Sequence, residues 1–310
     1  MTRHVSILLP EIVESLAVPF ERAQSGGVLV DCTLGGGGHT AALLERLTKT
    51  QAGSKHRVVA VDQDATAIEQ AQKRFSEEIS QGRLLLIHSR FSELRERLTH
   101  LPVLGVLADL GFSSDQIDEA SRGFSFRLEG PLDMRLDPAR GHTARTLLAT
   151  ETEAHLAKII WELGEERFSR KIARRIVEAR SAGQLPDTTT GLAALVASCF
   201  PPSARQGRTH PATRTFQALR IWVNDELSEL KALLESVLPA ILSPGGRAAI
   251  LSFHSLEDRM VKQAFARGNE WGWRSLQKKP IEPSEVEIQI NPRSRSAKLR
   301  IAEWINERTL

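Results

Sequence analysis

The chain of 310 residues carries 41 Lys and Arg against 38 Asp and Glu, a net charge of +3, with 41% hydrophobic and 25% charged residues. That balance excludes a disordered or collagen-like chain, and the mild charge confines any nucleic-acid argument to local patches. The length predicts one large domain with an insertion, or two domains.

Cys32 and Cys199 are the two cysteines and lie in apolar sequence without metal-ligand spacing. They point to a reducing compartment and to no bound metal. Residues 5–9 are apolar but stop at Pro10 and Glu11. The run is too short for a signal peptide or a membrane span, so a cytoplasmic protein with no membrane association is expected.

A short helix is expected over 11–16. Residues 28–31 read as a strand ending in Asp31, and the four glycines 35–38 follow. Ala41, Leu43, Leu44 and Leu47 then recur at helical spacing. Strand, glycine turn and helix in that order suit close approach of backbone N–H groups to a ligand. Residues 57–62 predict a second strand ending in Asp62, with Asp64 as a helix cap. Ile68, Ala71, Phe75 and Ile79 continue at helical spacing. Residues 84–88 predict a third strand, with Phe91 in the loop after it, and residues 103–110 a fourth containing Asp109. Strands alternating with helices argue a doubly wound parallel sheet.

The alternation breaks at 112–150, which is rich in Gly, Asp, Ser and Arg. Helices are expected from a capping box at Thr150 and Glu153, from Phe168 to Ala179, and from Leu192 to Cys199 before Pro201 and Pro202. One long amphipathic helix is expected from Phe216 to Leu234. Pro244, Gly245 and Gly246 then turn into a strand over 248–253, and 286–290 with 299–304 suggest a closing hairpin. Two windows lack acids. Residues 188–224 hold Arg205, Arg208, Arg214 and Arg220, and residues 288–302 hold Arg293, Arg295, Lys298 and Arg300. Such patches suit phosphate.

Acids at the ends of parallel strands stand where open α/β sheets bind ligands. The loop fits the start of a dinucleotide fingerprint at Gly35 and Gly37, but Thr40 replaces the third glycine. Asp31 opposes a pyrophosphate and favours a cationic ligand such as S-adenosylmethionine. Asp62 suits ribose hydroxyls, and Phe91 suits an adenine face. In that reading Asp109 and the loop after it face the methyl group, where a carboxylate can accept a proton from a substrate amine. His254 follows the fifth strand and is a candidate for orienting substrate or pairing with Glu257 or Asp258. Gln217, Arg220 and Asn224 share a helix face that reads either as lining the cleft or as satisfying the insertion's own backbone, and Asp133 with Arg135 reads as an ion pair or as part of a base pocket.

The chain resembles the bacterial ribosomal small-subunit RNA methyltransferase H family, also called MraW. The resemblance rests on Asp31-Cys-Thr-Leu-Gly-Gly-Gly-Gly-His39, Asp62-Gln-Asp64, Asp109-Leu-Gly-Phe-Ser-Ser114 and Arg122-Gly-Phe-Ser-Phe126. It continues through Gly130-Pro-Leu-Asp-Met-Arg135, Gly164-Glu-Glu-Arg-Phe168, His210-Pro-Ala-Thr-Arg-Thr-Phe-Gln-Ala-Leu-Arg220, Ser252-Phe-His-Ser-Leu-Glu-Asp-Arg259 and Asn291-Pro-Arg-Ser-Arg-Ser-Ala-Lys-Leu-Arg300. It implies an α/β, Rossmann-like adenosylmethionine-dependent methyltransferase sheet with an inserted, mainly helical second domain. The expected division is 1–112 and 208–310 for the cofactor-binding methyltransferase domain and 113–207 for an insertion that helps recognise RNA.

The implied reaction is methylation of the 4-amino group of a cytidine in the decoding region of small-subunit ribosomal RNA, within a small ribosomal subunit and with no obligate protein partner. By motif position the resemblance implies cofactor contacts from Gly37, Gly38, His39, Asp62, Phe91, Asp109 and Gln116; Asp109 and His254 are the catalytic candidates. The chain departs from the family pattern at Phe112, Asp115 and Leu163, which stand for a small aliphatic residue, a proline and a tyrosine. Three other readings remain at this point: a methyltransferase on a DNA amine, a non-catalytic RNA-binding assembly factor, and a nicotinamide dehydrogenase.

Overall fold

A computed structural model describes residues 6–205 and 210–306. The chain forms two compact units, Met1–Gly111 with Leu227–Leu310 and Phe112–Glu226. The first holds a sheet of seven strands: β1 Val28–Asp31, β2 Arg57–Asp62, β3 Leu84–His88, β4 Val103–Asp109, β5 Leu242–Ser252, β6 Trp273–Ser275 and β7 Lys298–Trp304. Their order is β3-β2-β1-β4-β5-β7-β6. The first five are parallel, and β7 runs antiparallel to both β5 and β6. This is the doubly wound α/β sheet the alternation predicts. The order reverses between β1 and β4, the switch point at which such sheets open a crevice.

The central strands are apolar on both faces, as parallel strands must be when helices cover both. On one face Leu29, Ala60, Leu107 and Leu251 pack with Phe20 and Leu43, from the helices Leu9–Arg22 and Gly38–Thr48. On the other, Val30, Val61, Val106 and Ile250 pack with Leu234 and Phe265.

Several elements differ from their sequence expectation. The first helix runs over Leu9–Arg22 rather than 11–16. Thr152, not Thr150, caps the helix Glu153–Gly164, accepting from the His155 amide, while Thr150 ends the helix before it. β5 begins at Leu242 and carries Pro244, Gly245 and Gly246 inside it as an irregularity against β4. Residues 286–290 lie in the helix Glu285–Ile290, which Ser284 caps with Glu285 and Glu287 in its first turn; they form no hairpin with β7. The long helix breaks at Asp225 (φ 52°) into Thr213–Asn224 and Glu226–Ala232.

That break is also the seam of the fold. Phe216, Leu219 and Val223 bury in the core of the second unit, so Thr213–Asn224 belongs to the helical unit and the sheet unit resumes at Leu227. With it the helices Glu153–Gly164, Ser169–Ser181 and Thr189–Ser198 build a core around Leu156, Ile172 and Leu192.

The aperiodic stretch after Phe112 is held by polar bonds in place of a ladder. Thr189 donates to the Leu128 carbonyl and accepts from Gly130 N, and Arg122 donates to the carbonyls of Arg135 and Leu136. Asn224 is buried and grips both sides of the turn at 134–136. Its Oδ1 accepts from Leu136 N at 2.7 Å, and its Nδ2 donates to Met134 O at 2.8 Å. Replacing Asn224 with leucine orphans a buried donor and a buried acceptor. The Asn224→Leu variant is expected to destabilise the helical unit by about 2–3 kcal/mol, read as faster hydrogen exchange at the Leu136 amide and a lower urea midpoint.

Candidate active site at the sheet edge

The three strand-end acids share one face of the sheet but not one level. Asp31 pairs in register with Ala60 and with Leu107, so Asp62 and Asp109 each stand two residues further along their strands. At about 3.3 Å per residue that places them roughly 6–7 Å above Asp31. The offset divides their work.

Asp31 is fully buried. It accepts the Thr40 hydroxyl at 2.6 Å and the Thr33 amide at 3.1 Å. Burial raises its pKa, and these two bonds oppose the rise. Asp31 thus ties the end of β1 to the first turn of the helix Gly38–Thr48, which is why Thr40 stands where a dinucleotide loop has glycine.

Asp62 reaches back over the loop. One carboxylate oxygen accepts from Gly35 N at 2.8 Å and the other from Asp64 N at 2.9 Å. A carboxylate offers about four lone-pair sites, so each oxygen retains capacity for a ligand hydroxyl. Among the described residues the Asp109 carboxylate receives no bond of that kind. Its amide donates to Thr33 Oγ1 at 2.7 Å, and its Oδ2 lies 3.5 Å from His39 Nδ1. Burial pushes both carboxyls up to about 6, with the neighbouring acids adding to the rise.

The glycines serve the protein as much as any ligand. Gly37 sits at φ 73°, and a Cβ there would meet the Phe75 ring at 2.7 Å. A Cβ on Gly38 would meet Ser6 Oγ at 2.1 Å. Arg74 donates to the Gly36 carbonyl. The helix begins at Gly38 with no side-chain cap, so backbone N–H groups of its first turn are available to a ligand, as the glycine loop predicts. Phe91 opens a 3₁₀ turn after β3, half-buried, and Glu229 fixes that turn by accepting from the amide and hydroxyl of Ser92.

His254 follows β5 and takes up the pairing with Glu257, its Nε2 lying 3.2 Å from Glu257 Oε1. It is the N-cap of the helix Ser255–Ala266, its Nδ1 accepting from Glu257 N at 3.4 Å, while Glu257 accepts from the amides of Phe253 and His254. That reciprocal cap fixes the ring at the end of β5.

Gln116 lies in the second unit. There its Oε1 accepts from Ser113 N and its amide donates to Ser113 Oγ. Asp133 and Arg135 form a two-bond ion pair, which holds Asp133 below the usual carboxylate range against its partial burial. Gln217 donates to the Leu163 carbonyl, and Arg220 makes two bonds to Glu226 while its guanidinium lies 4.5 Å over the Phe112 ring. These side chains satisfy their own unit.

The cations of the basic windows are likewise partly engaged within the protein. Asp258 pairs with both Lys298 and Arg300, and Arg205 and Arg214 bond to the Phe200 and Glu165 carbonyls. Arg208 lies outside the described residues. In the second unit a cavity of about 340 Å³ remains, lined among others by Arg167, Phe200, His210 and Arg214. Sequence reading missed it because its walls come from three separate stretches.

The donor set suits adenosylmethionine. Two partly buried carboxylates above a third disfavour a phosphate and favour a sulfonium and an ammonium group. Asp62 fits ribose hydroxyls, and Phe91 at the neighbouring strand end fits an aromatic base.

A model of the MraW methylase family matches residues 1–305. A ribosomal RNA small subunit methyltransferase H from Synechococcus sp. (strain JA-2-3B'a(2-13)) is 47% identical over 310 residues, covering 97% of this chain and 91% of that protein. The protein of that description from Nostoc punctiforme is 49% identical over 300 residues, covering 97% of this chain and 93% of its own length.

The clamp on Asp31 is open to test. Thr40→Val keeps the volume and removes the hydroxyl donor, so it is expected to destabilise by about 1–3 kcal/mol at pH 8. Without the donor the folded pKa of Asp31 rises further, so the cost shrinks as falling pH protonates it. Urea unfolding at pH 8 and pH 5 reads both effects.

Proposed function

The chain belongs to the MraW methylase family, and from that premise we propose that it transfers a methyl group from S-adenosylmethionine to the 4-amino group of a cytidine in the decoding region of small-subunit ribosomal RNA. The observation that carries the reading is the pairing of a tethered Asp62 with a partly exposed Asp109 across the switch point of the sheet. Bound adenosylmethionine supplies an electrophilic methyl group.

The protein's own residues do the rest. Asp62 holds the ribose hydroxyls while tethering the glycine loop through Gly35. Phe91 packs against the adenine. Backbone N–H groups after Gly37 face the amino-acid end, for which the sheet-edge carboxylates provide the counter-charge. The cytidine amine is conjugated into its ring and is a weak nucleophile until reoriented. Asp109 accepts one amine hydrogen, turns the nitrogen lone pair away from the ring and takes the proton as the carbon–nitrogen bond forms. Its pKa of about 6 suits that task, because the group is ionised at neutral pH yet more basic than a free carboxylate.

Gln116 stays a proposed cofactor contact through the motif alone. The helical unit recognises the RNA, and the cavity beside Arg167, His210 and Arg214 offers cations and an aromatic wall for backbone and base. The substrate is presented within a small ribosomal subunit in the cytoplasm, and no obligate protein partner is required. Among the described residues no helix is long and apolar enough to cross a membrane. The DNA and dehydrogenase readings give way to family membership. A non-catalytic role conflicts with keeping Asp62, Asp109 and the loop geometry together.

Labelled cofactor incubated with small subunits lacking the modification should place one methyl group on a cytidine, mapped by mass spectrometry. Asp109→Asn is expected to bind cofactor and to lose about 10²–10⁴-fold in single-turnover rate. Wild-type turnover in the variant would remove Asp109 from this role.

A further inference from the structure

The helix Ser169–Ser181 divides into two faces. Ser169, Ile172, Ala173, Ile176 and Ala179 are buried. Arg170, Lys171, Arg174 and Arg175 are exposed on the other side, with Glu178 the one acid of the helix. The whole chain has a net charge of +3, so this face is a local concentration of cations. Arg170 and Arg174 lie one helical turn apart, as do Lys171 and Arg175. The face therefore carries two adjacent rows of cations, each advancing by about 6 Å along the axis.

Nearby acids do little to satisfy these rows. Arg174 lies 3.7 Å from Glu153 and Arg175 lies 3.5 Å from Glu178, every one of these side chains being at least 45% exposed. Exposed pairs at such range contribute little and give way to a better anion. Among the described residues neither Arg170 nor Lys171 has an ion-pair partner. Other surface cations have closer acids: Lys49 has Glu45 at 2.8 Å, and Arg145 has Asp187 at 2.8 Å.

The rows start beside the cavity of the helical unit. Arg167 precedes the helix, lies 4.9 Å over the Phe168 ring and lines that cavity together with Phe200, His210 and Arg214. Glu166 lines it too, but it is buried and one of its carboxylate oxygens accepts from the Phe168 amide at 2.9 Å. No large apolar residue of the helix is exposed, because its apolar side is committed to the core. A lipid surface would find charge there and nothing to bury. A single-stranded nucleic acid brings both a run of phosphates for the cations and bases for the aromatic walls.

We propose that Arg170, Lys171, Arg174 and Arg175 form a track for the phosphate backbone of the RNA strand that enters the cavity beside Arg167. The inference rests on the RNA methyltransferase reading for its partner and deepens it. The track binds by charge and reads no sequence, and RNA phosphates replace Glu153 and Glu178 as the partners of Arg174 and Arg175.

Binding of the full chain to a single-stranded oligonucleotide of the decoding region, measured across a salt series, tests the track. Each phosphate neutralised on a single strand adds about 0.7 to the slope of log affinity against log salt. Arg170→Gln combined with Lys171→Gln should flatten that slope by about 1.4 and should weaken binding to a scrambled oligonucleotide by the same factor. Arg174→Gln combined with Arg175→Gln should do the same, while Arg170→Lys should keep the slope. Both pairs should raise the concentration of small subunits needed for half-maximal methyl transfer, with adenosylmethionine affinity and urea midpoint unchanged. Lys278→Gln combined with Lys279→Gln removes the same charge from exposed positions of the sheet unit and should leave the slope alone.

An unchanged slope in either helix pair overturns the proposal. So does equal flattening by the Lys278 and Lys279 pair, or a loss of binding to phosphatidylserine vesicles without a loss of binding to RNA. Absence of methyl transfer by the wild type, with the slope flattened as expected in the helix pairs, would instead overturn the methyltransferase reading and leave the track standing.

Discussion

Three carboxylates converge on one face of a parallel sheet, with the His39 imidazole beside Asp109. Like charges gathered in a poorly hydrated edge are costly, and the structure meets that cost unequally. Asp31, at the bottom, is satisfied by Thr40 and Thr33. Asp62 is satisfied by two backbone amides. Among the described residues Asp109 has His39 as its side-chain partner, at 3.5 Å. The remaining charge suits a cationic ligand.

The fold supplies the offset that makes this division possible. β1 ends at Asp31 and turns at once into the glycine loop, while β2 and β4 run two residues further. Strand length thereby converts three similar sequence features, an acid closing an apolar run, into one fully buried and two partly exposed groups. Gly37 and Gly38 belong to the same economy of space, since the room their missing side chains leave is taken by Phe75 and Ser6.

Much of this was legible in the residues. The strand–glycine–helix pattern, the acids at strand ends and the Asp64 cap follow from periodicity and cap chemistry, and Asp64 does accept from Thr66 N. The depth of Asp31 was not legible, because register between strands distant in sequence is a tertiary property. His254 was legible in part: its pairing with Glu257 was among the readings of a histidine at a strand end, while the reciprocal cap, with Glu257 folding back onto the amides of Phe253 and His254, is a tertiary detail. The break at Asp225 escaped because apolar spacing continues across it while a single left-handed residue redirects the chain. In the helical unit, Gln217, Arg220 and Asn224 follow the second of their two readings, holding loop carbonyls, amides and an acid of their own unit. A long irregular segment must satisfy its backbone with side chains when it has no ladder.

The central claim is that the sheet edge is an anionic site tuned for a cation. At pH 6 burial leaves Asp62 and Asp109 partly protonated in the free protein. A sulfonium and ammonium ligand favours their ionised forms and must expel protons as it binds. Calorimetric titration of adenosylmethionine at pH 6 in buffers of differing ionisation enthalpy measures that release directly. The account predicts net proton release, reduced in Asp62→Asn; an observed enthalpy independent of buffer, or proton uptake, would contradict it.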